Sequence, residues 1–572
     1  MLKTIERKYV ADPPAGVVRP VKVLLVYPNT TDVALANLGF QRVHGLLNRI
    51  DGVTGDRFSL PQGWTPDVQA LEPGDRVSHD LGLRPGDFDM IAFSISFEPD
   101  YLHVVTILKY FNIPLERKDR DAASPLILAG GSAVFINPEP LAECVDAFFI
   151  GEGEGLAEKF FNLYVTTPWE NPRNLLRRAA ALGGIYVPQF YHPLYRGGNL
   201  EGYETDPALP KRIPRHWTDR VEDLCTVSEI HDPISTFKDM ALMEVTRGCI
   251  WACRFCTAGF IYRPPRLPDL NGTYRALERV LEAQGKSAST IGLVGPSVTD
   301  HPDLIGLAKK IIGDGKTLSF SSLRMETLTD ELVDLILQSG QKTLTVAVDG
   351  PSERMRRVIN KAATDEFIVE KCRFLTEKGI LHFKIYSIIG LPGETEEDID
   401  QFISLIRNVV DVYVDVCRKR GRIGKMTISL SPLIPKPGTP FQWHPMEPVA
   451  LLKKKFLKLR KALGRLPYLK LSFGSPNEAY LQTYLSRGDR RVVEFFRHYL
   501  EYGHDAKKAL QAHRGEADDF AYRQYGRDDF LPWDIIDHGY KNHFLWEDYQ
   551  RGLREKHTPV CETATCKICG IC

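Results

Sequence analysis

The sequence predicts an α/β protein: a doubly wound parallel-sheet domain, then a partial (β/α)6 barrel, then a mostly helical region ending in a cysteine cluster. Two series of short apolar runs, each alternating with helix-length stretches, predict the two sheets. Two tight groups of cysteines mark the opening of the second series and the last residues of the chain. At 572 residues the chain is too long for one hydrophobic core, so several domains are expected on size alone. The expected divisions are 1–165, a linker region 166–235, the barrel 236–449 and a last domain 450–572.

Lysine plus arginine (73) equals aspartate plus glutamate (73), so no global field draws the chain to nucleic acid or an anionic membrane. No run approaches the roughly twenty apolar residues of a membrane span, and the opening MLKTIERK is not a secretory signal. A cytoplasmic location without membrane contact is therefore expected.

In the first series Val21–Tyr27 (VKVLLVY) reads as a buried parallel strand, with a helix-like stretch from Asn37 to Asn48. Further strands are expected at Met90–Ile95, Leu126–Ala129 and Ala147–Ile150. Ligands of doubly wound sheets bind beyond the carboxyl ends of the strands, which singles out Ser94, Ser96, Gly130, Gly131, Ser132 and the run Gly151 to Glu154. The stretch from Thr166 to Ser235 is rich in prolines, aromatics and charges and reads as a linker with some ordered structure. Strands of the second series are expected at Met240–Val245, Thr290–Val294, Leu318–Ser321, Thr343–Val348, His382–Ile389 and Met426–Leu430. A β/α barrel carries its chemistry at the carboxyl ends of such strands.

The first of these strands runs into Cys249, Cys253 and Cys256 (EVTRGCIWACRFC, Glu244 to Cys256). Three cysteines with three and two residues between them converge on one centre when the backbone makes a tight loop. Three thiolates on a four-iron, four-sulfur cluster leave one iron open to a small molecule; a structural zinc site would need a fourth ligand.

The CxxxCxxC spacing, with Phe255 before the last cysteine, resembles the radical S-adenosylmethionine (SAM) superfamily. The resemblance implies a [4Fe-4S] cluster on Cys249, Cys253 and Cys256, SAM chelated to its open iron, and one-electron cleavage of SAM to a 5'-deoxyadenosyl radical. It also implies a reductant such as flavodoxin or ferredoxin. Gly295-Pro296-Ser297 stands where the superfamily carries a GGE-like turn for the SAM amino group, and departs from it. Ser322, Arg324 and Glu326 after the third strand, Asp349 after the fourth and Gly390 after the fifth are the other expected SAM-binding positions. The run DGPSERMRRVINK (Asp349 to Lys361) resembles EAGSERLRRVINK of related proteins.

An α/β domain before such a barrel resembles the cobalamin-binding domain of cobalamin-type radical SAM enzymes, which implies cobalamin near Ser94, Gly130 and Gly131. The loop after Tyr27 lacks the DxHxxG that supplies a histidine to cobalt, and His44 reads as a surface or packing residue. The proline-rich stretch Ser431 to Trp443 would hold Lys436, Gln442 and Trp443 rigidly over a pocket. It resembles the VPKPxTPFQW segment of an uncharacterised radical SAM family with an N-terminal cobalamin-type domain. That likeness extends to Gly130–Pro140, Arg487–Arg491 and Leu531–Asp534.

The last region opens with a basic amphipathic stretch, Leu452 to Leu463, and closes on Cys561, Cys566, Cys569 and Cys572. Four cysteines with four, two and two residues between them can wrap one centre, a second iron-sulfur cluster or zinc. Three functions compete: radical modification of an unidentified small molecule, RNA or protein, extended to methylation if cobalamin binds; sulfur insertion resembling the methylthiotransferases, with the last cysteines as sulfur source; and a non-catalytic RNA-associated adaptor using the basic stretch.

Overall fold

The computed structural model describes residues 17–66, 71–220, 225–230, 234–237, 239–284, 289–320, 323–341, 343–541, 543–563 and 565–572. The first sheet has six strands: β1 (Val21–Thr30), β2 (Val53–Leu60), β3 (Met90–Ser94), β4 (Leu126–Gly130), β5 (Ala147–Phe149) and β6 (Ile185–Tyr186). Their order is β2-β1-β3-β4-β5-β6, parallel except for the β5–β6 pair. β1 is apolar on both faces because helices cover both: Val21, Val23, Leu24 and Val26 are all fully buried. This order reverses between β1 and β3, the switch point beside which ligands of doubly wound sheets lie.

The region expected as a linker is built into its neighbours. It supplies β6 to the first sheet, then a hairpin of β7 (Tyr191–Arg196) and β8 (Asn199–Thr205). β9 (Ile213–Pro214) pairs in parallel with β17 (Ile536–Asp537) near the end of the chain. β6 and β9 are only two residues long and Pro193 interrupts β7, which leaves little alternation for a sequence to show.

The second series forms β10 (Met240–Glu244), β11 (Thr290–Val294) and β12 (Thr317–Phe320) as one parallel sheet. A second parallel sheet holds β13 (Thr343–Asp349), β14 (His382–Ile389), β15 (Lys425–Pro432) and β16 (Leu469–Phe473). A parallel bridge from Leu323 to Val346 joins the two into one curved row. The row therefore has seven strands among the described residues, and β16 continues it past residue 449 into the region expected to be helical. No described helix is long and apolar enough to cross a membrane.

The basic stretch lies on the helix Val449–Leu463, and part of its charge is spent inside the fold. Lys455 is buried and donates to Glu394 (2.8 Å) and Glu447 (2.6 Å). Lys454 pairs with Glu396, and Lys458 with Glu396 and Asp400, on the first turns of the helix Glu396–Lys419. Lys453, Lys454, Arg460 and Lys461 of the same helix stay exposed.

Candidate active site

The cluster loop leaves β10 at Glu244 and turns at Gly248 (φ +77°). A Cβ there would lie 2.5 Å from the Tyr262 carbonyl oxygen, so only glycine fits. Cys253 is buried, while Cys249 and Cys256 are half-buried. A turn from the Cys256 amide to the Cys253 carbonyl (3.0 Å) closes the loop. Burial pushes the Cys249 thiol up to about 12 and the Cys256 thiol up to about 11, and in each case a neighbouring loop cysteine adds to the rise. A metal must displace these protons, so the set binds metal more tightly as pH rises. Among the described residues no group of three or more Cys, His, Asp or Glu is gathered tightly enough to hold a single metal ion.

Arg324 stands over this loop. Its Nη1 donates to Cys253 Sγ at 3.6 Å, its Nη2 to Glu326 at 3.0 Å, and its guanidinium lies 3.9 Å from the centre of the Trp251 ring. Burial alone would lower its pKa; Cys253 and Glu326 more than offset that and raise it. The buried Nε has no partner, a donor aimed at nothing in the chain. Trp251 donates to Asp300 at 2.9 Å, and burial raises the pKa of that carboxyl. Trp251 and Asp300 were not singled out from sequence, although Trp251 sits inside the cysteine motif.

Gly295 packs directly on the loop, since a Cβ there would lie 2.1 Å from Thr246 Oγ1; Pro296 follows at the rim of the large cavity, and Ser297 is buried. Ser322 lies outside the described residues. Asp349 ends β13 and forms an ion pair with the buried Lys361, which also donates to the Ala347 carbonyl (2.8 Å). Gly390 ends β14, but its amide is taken by the Glu394 carboxylate (3.0 Å) and its Cα faces Leu452 and Glu447. Its turn is packed against the helix Val449–Leu463, and Leu391 beside it shares a hydrophobic cluster with Phe255 of the cysteine loop.

Ser94, Gly130 and Gly131 line a cavity of about 500 Å³ between the first sheet and the barrel. At Gly131 (φ +104°) a Cβ would meet the Ile95 carbonyl oxygen at 2.4 Å. Thr246, Arg247, Gly248, Gly295 and Pro296 form the wall from the barrel side. The cavity also runs into the first domain along Leu25, Ala92, Leu128, Ala129 and Phe149, beside the β1/β3 switch point. Thr226 and Thr246 line it with buried hydroxyls that have no partner. No histidine, cysteine or methionine is among the described residues that line it.

Glu152 and Glu154, expected to face a ligand, do line the cavity and also tie the two sheets together. Arg247 pairs with Glu244 (2.8 Å), Glu152 (3.2 Å) and Glu154 (3.1 Å), and Arg266 with Glu152. The polar residues of the proline-rich run are spent on packing, not on a pocket. Lys436 pairs with Glu98, Gln442 accepts from Gly438 (2.9 Å) and Trp533 (2.7 Å), and Trp443 is buried beside Trp546 and Tyr549.

Two family descriptions match the chain: "Radical SAM superfamily" over residues 243–406 and "Radical SAM proteins, N-terminal" over 39–188. The chain belongs to the radical SAM superfamily. An uncharacterised protein of Methanocaldococcus jannaschii is 28% identical over 86% of this chain and 93% of its own length. A ribosomal protein uS12 methylthiotransferase of Thermosipho africanus is 26% identical over 30% of this chain and 42% of its own. Solved structures of similar outline include the radical SAM methyltransferase TsrM of Kitasatospora setae with cobalamin and [4Fe-4S] cluster bound, with a TM-score of 0.44 and 14% identity over 72% of each chain. Another is the cobalamin-dependent SAM radical enzyme OxsB, with a TM-score of 0.46 and 13% identity over 94% of this chain and 80% of that one. As a radical SAM enzyme the chain takes a [4Fe-4S] cluster and SAM and needs an external reductant and a substrate.

Proposed function

We propose that this radical SAM enzyme also binds cobalamin and uses it to methylate an unactivated carbon of its substrate. The observation that carries the reading is the cavity shared by the carboxyl ends of the two sheets. It has a small-residue mouth at Ser94, Gly130, Gly131 and Ser132 and an apolar channel running beneath the switch point. A flat macrocycle at the interface with its nucleotide tail in the channel suits that shape. A volume of about 500 Å³ takes the tail and part of the ring, with the outer edge of the corrin at the open mouth. With no histidine in the lining, the cobalt would have no imidazole from this cavity wall.

Cys249, Cys253 and Cys256 would hold three irons of the cluster. Arg324 steadies the Cys253 sulfur and offers its unpartnered Nε to a carboxylate such as that of SAM, while Gly295 to Ser297 give backbone contact beside it. When bound, the cluster with SAM supplies a 5'-deoxyadenosyl radical, and cobalamin supplies the methyl group. Burial of the loop beneath Trp251 and Arg324 keeps bulk water from that chemistry.

Gly153 lines the cavity with φ in the ordinary range, and a Cβ added there meets only Val43, at 3.8 Å. Gly153→Phe therefore fills the cavity without straining the backbone. We expect cobalamin retained after anaerobic purification to fall at least about 10-fold, with iron content unchanged. Undiminished cobalt in the variant, or none in the wild type supplied with hydroxocobalamin, would sink the reading. Isotopic sulfur appearing in the product would favour sulfur insertion instead.

A further inference from the structure

The four cysteines at the end of the chain are not on a separate module; they are seated against the cluster loop. The Cys561 amide donates to the carbonyl of Ile250, the residue after Cys249, at 2.9 Å. Cys569 is buried among Ala252 and Phe260 of the loop segment and Phe544. The segment before them is locked as firmly. Arg254 donates to the Lys556 carbonyl (2.7 Å) and Thr558 Oγ1 (2.9 Å). Asn360 donates to the carbonyls of both Ala252 and Thr558 (3.1 Å each) and accepts from the Thr558 amide (2.8 Å). Lys541 holds the outer turn through the Cys569 and Lys567 carbonyls (2.9 and 2.6 Å).

The group spans the protein's skin. Cys561 and Cys569 are buried toward the loop, Cys566 is half-buried and Cys572 is exposed. A four-thiolate zinc site needs its sulfurs about 3.8 Å apart, from tetrahedral bonds of about 2.3 Å. The loop cysteines belong to a family that carries a four-iron cluster. A four-iron cube would take the last four cysteines with one thiolate on each iron, and the three loop cysteines with one iron left open.

We propose that Cys561, Cys566, Cys569 and Cys572 bind a second [4Fe-4S] cluster through which electrons from the reductant reach the loop cluster. The inference rests on the radical SAM reading of the loop and is independent of cobalamin. A reduced flavodoxin or ferredoxin gives up one electron; the second cluster takes it and passes it to the loop cluster, returning to its oxidised state. No bond is made or broken. Four protein ligands leave no open iron at this site, so it does not bind SAM. The short covalent path from Cys561 to Cys249, interrupted by one hydrogen bond, is the route the fold provides.

The test uses the full chain purified without oxygen, with iron, sulfide and zinc counted, and with SAM cleavage driven by either reduced flavodoxin or dithionite. We expect about eight irons per wild-type chain and no zinc, and about four irons in the Cys566→Ala/Cys569→Ala variant. Low-temperature EPR of the dithionite-reduced protein should lose one of two signals. In the variant, 5'-deoxyadenosine formation should fall at least about 10-fold with flavodoxin but stay within about twofold with dithionite, a small reductant that reaches the loop directly. About four irons in the wild type, with or without zinc or with the four thiols paired as disulfides, overturns the proposal. So does a variant that loses activity equally with both donors while keeping its loop irons. Should the double variant hold no iron, Cys572→Ser at the exposed position decides, with the same donor-dependent contrast required.

Discussion

Replacing Lys436 with methionine is expected to destabilise the protein by about 3–5 kcal/mol and to reverse its stability trend between about pH 7 and pH 5. Glu98 sits on the first domain just beyond β3 and is buried. Its carboxylate is met by Lys436 from the barrel and by Gln482 (2.9 Å) and Ser486 (3.1 Å) from the last region. Burial alone would raise its pKa; the Lys436 ammonium, with hydrogen bonds from Lys436 and Gln482, brings it below the ordinary carboxylate value. In the wild type this group therefore contributes stability above the unfolded-state pKa, lost as pH falls through the lower folded value. Without the cation, burial wins and the folded pKa rises. The variant is then weakest at neutral pH and regains stability as pH falls through that raised value. Glu98→Gln combined with Lys436→Met should recover most of the loss, because a neutral amide needs no counterion and Ser486 and Gln482 still face it. Urea midpoints of the three proteins across pH check this; a single variant with the wild-type pH slope contradicts the account.

The strands that sequence reveals are those buried on both faces or strictly alternating between a buried and a half-buried face. β1 and β3 to β5 in the first sheet, and β10 to β15 in the barrel, read as continuous or regularly alternating apolar runs because helices cover them. β2 escaped because Asp56 stands in its middle. That carboxylate is fully buried, yet it is satisfied by the amides of Arg57 (2.7 Å), Asp80 (3.0 Å) and Leu81 (2.9 Å), and a charge inside a strand reads as a loop. β16 escaped because LKLSF follows a long helix and lies at the end of its row, where even its alternating apolar residues are only partly buried.

The cysteine loop was legible from spacing alone, since three ligands within eight positions of one another need only local geometry. The cavity was not, because its walls come from both sheets and from turns separated by hundreds of residues. The same distance hid the role of Lys436, which looks like a site residue until Glu98 arrives from another domain, and the ion pairs that Glu152 makes from the cavity wall. Glycines fared better. At Gly131 and Gly248 the backbone conformation and the nearest carbonyl leave room for nothing larger. What spacing reports, then, is chemistry carried by neighbours in sequence; chemistry shared across domains shows only in three dimensions.

Arg254→Met is expected to strip iron from the cluster loop and lower SAM cleavage by about 100-fold. Arg254 lies between Cys253 and Cys256 in sequence, but its side chain points away into the protein and is fully buried. Its Nε and Nη2 each donate to Asp548 at 3.2 Å, and Nη1 donates to the carbonyls of Val358 (2.8 Å) and Arg357 (3.1 Å). With the bonds to Lys556 and Thr558, one guanidinium fixes the loop to three separate segments. Methionine fills most of the space but leaves Asp548 as a buried carboxylate without its cation, which costs about 3–5 kcal/mol. The cost falls where it matters, because an alteration of about 1 Å in the two cysteines beside it misplaces ligands that must meet one cluster. Asp548→Asn keeps the shape and removes the charge, so its effect on iron content should be the smaller of the two. Because Arg254 also seats residues 556 to 558, the methionine variant should loosen the last four cysteines with the loop. Iron counts and limited proteolysis on the two variants separate these effects: a tail cut rapidly in Arg254→Met but not in Asp548→Asn assigns the tail's seating to the hydrogen bonds to Lys556 and Thr558. Retention of full iron and activity in Arg254→Met would show that the loop holds its shape without this anchor.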